Sequence, residues 1–155
     1  MNELKTYLWT SLIVLLIYAC GGGQSRIDKI KEQSVAKPED PFVAWQSNHG
    51  VGPVAAFELP MEIDAVLAAE GQAVFEGKCS ACHKPAKRFI GPPPKGILEN
   101  RTPAWIMNMI LNPEEMVKND PMAKQLLIEF NGSPMANQNL TQEEARAVLE
   151  YFRTL

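Results

Sequence analysis

Two cysteines separated by two residues and followed at once by a histidine, Cys79-Ser80-Ala81-Cys82-His83, form the most chemically pointed run in the chain. Thiols at this spacing on a helical turn face the same side. Each can add across one vinyl group of a single porphyrin, and the adjacent imidazole then lies beneath the iron, so the run reads as the attachment site of one covalent c-type haem. The same C-x-x-C spacing also serves thioredoxin-like redox sites and half of many zinc sites. A zinc ribbon needs a second ligand pair, yet the remaining cysteine and histidine, Cys20 and His49, stand far upstream. A thioredoxin-like site needs a βαβ context, whereas the flanks of this motif carry helical patterning.

The elements that must position the motif follow from caps and apolar spacing. A first helix is expected from Asp64, a capping residue, to about Gly77, with Val66, Leu67, Val74 and Phe75 on its buried face. It delivers the chain into Cys79. Gly91-Pro92-Pro93-Pro94-Lys95-Gly96 cannot be helical, because three successive residues lack an amide proton. This rigid loop is a suitable source of the carbonyl that a proximal histidine needs to hold its second nitrogen. Thr102-Pro103 starts a second helix with Trp105, Ile106, Met109 and Ile110 on its apolar face, and Asn112-Pro113 stops it. Asp120-Pro121 repeats the start signal for a helix that ends at Asn131-Gly132, with Met122, Leu126, Leu127 and Phe130 inward. Thr141 and Glu144 form a capping box for the last helix, where Ala145, Val148, Leu149 and Tyr151 or Phe152 supply the packing face.

At 155 residues, with 46% hydrophobic content, the chain has room for one packed domain plus appendages. A net charge of -3 without a clustered basic surface argues against nucleic acid as a partner. Near the amino terminus, Lys5 precedes an apolar run from Tyr7 to Ala19, too short to span a bilayer but suited to an export signal. That run ends in Ile17-Tyr18-Ala19-Cys20 before three glycines, which resembles the lipobox of bacterial lipoproteins. The resemblance implies lipidation at Cys20 and a mature protein anchored to a membrane without a spanning helix. The plain alternative is an ordinary signal peptide with a chance cysteine. Residues 1–19 are therefore expected to be a signal peptide, residues 20–60 a lipidated cysteine and tether, and residues 61–155 the haem domain. Phe42, Trp45, Val51, Val54 and Phe57 are too apolar for a purely solvated tether, and pack either on the domain or on a partner. His49, in the same stretch, is a weak candidate for a second axial ligand.

From about Asp64 to Leu155 the chain resembles the class I bacterial cytochromes c. In that family glycine and an aromatic stand eight and four residues before the first haem cysteine, as Gly71 and Phe75 do here. An aromatic of the last helix packs against that glycine, and Tyr151 is the matching residue. A Gly-Pro after the motif lends its carbonyl to the proximal histidine, which points to Pro92. The family also places a methionine ligand in the loop before the final capped helix. Among seven methionines, Met135 in Ser133-Pro134-Met135-Ala136 is so placed. Met122 is the runner-up, while Met107, Met109 and Met116 read as core. The resemblance implies an all-α cytochrome c fold, four to five helices around one haem, with crossed first and last helices. The stretches Trp105 to Pro113 and Pro134 to Thr141 also look like small cytochromes that accompany nitrous-oxide reductases.

Histidine on one side of an iron and thioether on the other leave no open position, which suits one-electron transfer and not substrate chemistry. The expectation is a non-enzymatic electron carrier outside the cytoplasm, on the periplasmic face. Its donor would be a quinol-oxidising complex, and its acceptor a terminal reductase, such as nitrous-oxide reductase, or an oxidase. A fixed electron-entry subunit of a larger complex is the alternative, and a gas- or peroxide-reactive haem protein a weaker one. Lys84, Lys87, Arg88 and Lys95 offer a basic rim for docking, or simply a solvated loop. Arg101 and Trp105 are candidate donors to the haem propionates, and Asn131 and Asn137 to the methionine sulfur.

Overall fold

The computed structural model describes residues 45–155; the expected signal run, Cys20 and the tether as far as residue 44 lie outside the described residues. Five α-helices occur among the described residues: α1 (Ala65–Lys78), α2 (Pro103–Leu111), α3 (Pro113–Asn119), α4 (Pro121–Glu129) and α5 (Gln142–Phe152). Short 3-10 turns at Trp45–Ser47 and Ile97–Glu99 complete the regular structure. The described residues form no strand, only an isolated bridge between Lys84 and Lys87, and no helix long and apolar enough to cross a membrane.

Each long helix starts at a cap that satisfies its free amides. Asp64 accepts from Val66 and Leu67 at 3.0 Å, Thr102 from Trp105 at 3.1 Å and Asp120 from Ala123 at 2.8 Å. Thr141 and Glu144 exchange side-chain-to-backbone bonds of 3.2 and 2.8 Å, the expected capping box. The sequence treats Asn112-Pro113 only as a stop. In the structure Pro113 also opens α3, because a residue that cannot continue one helix is well suited to the first position of the next.

The buried stripe of α1 is Ala68, Gly71 and Phe75, spaced by three and four. Val66, expected on that face, is 71% exposed. It stands two residues before Ala68, roughly 200° around the helix axis, and so points to solvent. The stripe meets α5 at unusually close range. A Cβ at Gly71 would collide with the carbonyl of Ala147 and lie 2.8 Å from the nitrogen of Val148, so glycine lets the two backbones touch. One turn on, Phe75 meets Tyr151 and Phe152 with ring centroids 5.4 and 5.8 Å apart.

Residues 45–60 pack on this helical body. Trp45, Val54, Phe57 and Leu59 rest against the core, and the buried Asn108 of α2 clamps the strap with all its polar atoms. Its amide donates to the carbonyls of His49 (2.9 Å) and Val54 (3.0 Å), and its oxygen accepts from the N–H of Val54 at 2.9 Å. Thr102 adds a bond to the Asn48 carbonyl at 2.6 Å. Of the strap residues too apolar for a solvated tether, Trp45, Val54 and Phe57 thus have intramolecular partners, while Val51 is exposed.

A buried ion cluster ties the strap's end to both crossed helices. Glu150 is fully buried and accepts from the Asp64 N–H at 2.9 Å, Arg146 at 2.5 Å and Arg153 at 2.6 Å. Arg153 also donates to the carbonyls of Pro60 and Met61 at 2.6 and 3.1 Å. Burial pushes the Glu150 carboxyl up, but the Asp64 amide and the two guanidinium groups outweigh it and hold the acid below its ordinary value. A folded-state value below the unfolded one contributes stability that is complete above the ordinary glutamate value of 4.5 and is lost as the pH falls below it. Glu150→Gln is expected to cost about 3 kcal/mol near neutral pH by urea denaturation. The gap to the wild type should narrow below pH 4.5; a gap that stays constant into acid would show that the charge is not what matters.

Candidate haem site

The last turn of α1 does not stop at Lys78 but continues through the motif. Cys79 and Ser80 donate to the Phe75 carbonyl at 2.9 Å, and Cys82 and His83 to the Cys79 carbonyl at 3.0 and 2.9 Å. This extra turn brings Cys79, Cys82 and His83 to the lining of one cavity. The two cysteines form no disulfide, and burial, with a smaller effect of Cys82, pushes the Cys79 thiol up.

The ring of His83 is fixed from behind. Its Nδ1 lies 2.8 Å from the carbonyl of Pro92, an oxygen that can only accept, so Nδ1 carries the proton and the lone pair of Nε2 is left free. Gly91 is equally constrained: a Cβ there would lie 2.8 Å from Nδ1 and 2.9 Å from Nε2. Gly91 in turn donates to the Cys82 carbonyl at 2.9 Å, which closes the loop against the motif.

The other walls are mainly apolar. Ile106 and Ile110 of α2, Leu126 of α4 with Phe130 just beyond it, and Val148 of α5 face the space, as does Met135 from the loop before α5. Met109 lines it as well, whereas Met122 does not; the Met122 sulfur sits 3.3 Å from the Asn48 amide. Met116 is likewise remote, its sulfur taking the Val51 N–H at 2.9 Å. His49 is not at the cavity, and its buried Nδ1 has no partner.

The two residues expected to reach the haem carboxylates differ in availability. Trp105 lines the cavity, but its indole N–H donates to Asp120 at 3.1 Å. Arg101 stacks over the Trp105 ring at 5.0 Å and is 9% exposed; one guanidinium nitrogen holds the Asn100 carbonyl at 2.6 Å, while the buried Nε has no acceptor. Burial lowers its pKa, with Asp120 and Glu129 opposing that effect. Arg101 does not itself line the cavity but stacks on Trp105, which does, and its buried cationic N–H without an acceptor fits a haem whose carboxylates point to this end.

Asn131 and Asn137 do not line the cavity; Asn131 serves as the left-handed end of α4 at φ 58°, and Asn137 donates to the Leu111 carbonyl at 3.3 Å. Gln138, which the sequence did not single out, does line it. Within the basic segment, Arg88 pairs with Glu129 at 2.9 Å and lies 3.9 Å over the Phe130 ring, while Lys84 lies over Phe89 at 5.0 Å. Phe89 and Ile90 are 51% and 48% exposed beside these cations. The basic residues are legible in the sequence, whereas the exposure of Phe89 and Ile90 among them shows only in the folded loop.

The profile of the cytochrome c family matches residues 68–155. Among solved structures, a cytochrome c from Rhodothermus marinus is 42% identical, covering 74% of this chain and 96% of that one, with a TM-score of 0.65. An engineered cytochrome c from the same organism, bound to a carbene intermediate, is 41% identical over the same shares with a TM-score of 0.63. The cytochrome c domain of the pp3183 protein from Pseudomonas putida is 28% identical, covering 54% of this chain and 85% of that one, with a TM-score of 0.50. No curated protein sequence matches the chain. The cavity, its paired cysteines and these likenesses agree: the chain belongs to the cytochrome c family, as a class I member that carries one covalent haem c and transfers electrons through it.

Proposed function

We propose that the chain is a one-electron shuttle whose iron is held by His83 and Met135, working outside the cytoplasm between a quinol-oxidising donor and a terminal reductase, nitrous-oxide reductase among them, or an oxidase. The observation that carries this reading is the placement of Met135 and the Pro92-oriented His83 on one apolar cavity. The haem supplies a one-electron ferric and ferrous couple. The chain's residues set how that couple behaves. Pro92 fixes the imidazole and strengthens it as a donor. A thioether from Met135 favours the reduced iron, and the apolar walls, by excluding water, act in the same direction. With His83 and Met135 both holding the iron, an electron would pass without either residue leaving.

Cys79 and Cys82 would anchor the haem as thioethers, with Arg101 at its carboxylates. Trp105 serves as wall rather than as a second donor, since Asp120 holds its N–H. Exposed Phe89 and Ile90 among Lys84, Lys87, Arg88 and Lys95 suit transient docking to an acidic partner, the apolar pair making contact and the cations steering approach. Trp45, Val54 and Phe57, which the fixed-subunit alternative would use as an interface, pack on their own domain, and this favours the mobile carrier. Lipidation at Cys20, after export, would keep the carrier at the membrane surface, where a quinol-oxidising donor meets its lipid-soluble substrate.

Two tests follow. The oxidised holoprotein should show the weak far-red absorption of a thioether-ligated ferric haem; Met135→Ala should abolish it, and Met122→Ala should leave it intact. Survival of the band in Met135→Ala would remove Met135 as ligand, and ready carbon monoxide binding by the reduced wild type would favour a gas-reactive haem. For the anchor, the full-length protein should fractionate with membranes and incorporate labelled palmitate, and Cys20→Ser should lose the label; a wild type that takes up no label would exclude lipidation as the tether.

A further inference from the structure

Asp120 is 3% exposed, yet it carries three hydrogen bonds from three different parts of the fold. One oxygen accepts the Trp105 indole N–H at 3.1 Å and the Ala123 backbone N–H at 2.8 Å; the other accepts the Asn48 amide at 2.7 Å. An oxygen pair that only accepts is the pattern of a carboxylate. Its nearby countercharge is Arg101, also buried, which lies over the same Trp105 ring. Trp105 lines the haem cavity, so one side chain separates this acidic group from the cofactor. Capping α4 needs only the bond to Ala123, and a serine or threonine supplies it without a buried charge.

We infer that Asp120 is a positioning and charge-setting residue for the haem, which fixes Trp105 in the cavity wall and depresses the reduction potential, with the strap residue Asn48 moderating its charge. The inference rests on the electron-carrier reading. Charge is poorly screened in a buried site, so a fixed negative group beside the cofactor favours the ferric state, which carries one more positive charge than the ferrous. Arg101 partly offsets that field. Removing the charge from Asp120 leaves Arg101 with only Glu129 and the haem carboxylates as countercharges, and the loss of one negative group from the site favours reduction. Asn48 acts the other way: its N–H draws on the carboxylate oxygen, and without it more of the negative charge is felt at the haem. The strap thereby joins the redox site through one hydrogen bond of 2.7 Å, and its packing has a consequence for potential as well as for stability.

The test is the reduction potential of the purified holoprotein, by spectroscopic redox titration, for the wild type, Asp120→Asn and Asn48→Ala. Asparagine keeps an oxygen for the indole and for Ala123, so the cap and the position of Trp105 persist while the charge goes. Asp120→Asn should shift the potential upward and Asn48→Ala should shift it downward. Unchanged potentials, or shifts of the same sign, would show that Asp120 is only a cap and strap anchor. Should Asp120→Asn fail to accumulate as folded holoprotein, Asn48→Ala decides alone, and an unchanged or raised potential overturns the inference. Failure of the carrier reading is distinguishable, because it would appear in the wild type as a missing thioether band, while the differences between variants are still measured.

Discussion

The backbone contact at Gly71 is the constraint on which the rest of the molecule depends. Helices normally stand about 8–10 Å apart because side chains lie between them. Where Gly71 meets Ala147 and Val148, nothing lies between, and α1 and α5 are pinned at a single point. From that point the geometry propagates in both directions along α1. One turn forward, Phe75 packs on Tyr151 and Phe152, and the chain then enters Cys79 with its helical hydrogen bonding intact. Backward, the N-terminus of α1 is held by Glu150, and Arg153 draws the end of the strap onto the same cluster. The haem cysteines are thus placed by a crossing that involves neither of them.

Around that frame the site has two characters. The side bearing His83 is rigid: a proline carbonyl behind the ring, glycine against its face, and consecutive prolines that remove backbone freedom. The side bearing Met135 is a loop whose residues are largely exposed and whose internal bonds are local, such as Asn139 to Asn137 at 2.8 Å. Under the proposed ligation by His83 and Met135, a strong ligand on a fixed mount and a soft ligand on a looser one would suit an iron that changes charge but not coordination. Between them, the end carrying Arg101, Trp105 and Asp120 concentrates the buried charge of the cavity region, and there the strap enters the site.

Much of this was legible in the chain itself, and the reasons for success and failure are specific. Cys79, Cys82 and His83 are adjacent in sequence, so their chemistry needs no fold to be recognised. Caps at Asp64, Thr102, Asp120 and Thr141 are also local, and each lies where the residue types place it. Val66 shows the limit of such patterning: it is apolar and near the helix start, but only the angle of the Gly71 crossing decides which stripe is buried. The α3 helix was hidden because Asn112-Pro113 carries a stop and a start at once. The role of Asn108 was not readable at all, since an asparagine in an apolar helix gives no sign of clamping a segment far upstream. The same holds for Asp120, whose local signal is a cap and whose bonds to Trp105 and Asn48 span long sequence separations.

The central claim is that the iron is closed by His83 and Met135. Proton NMR of the reduced holoprotein with methionine ε-methyl labelling reads it directly, because a methyl held against the haem face is shifted far upfield by the ring current while the other methionine methyls are not. The account predicts one such resonance, lost on replacing Met135. No upfield-shifted methyl, or one that belongs to Met109 or Met122, would contradict it.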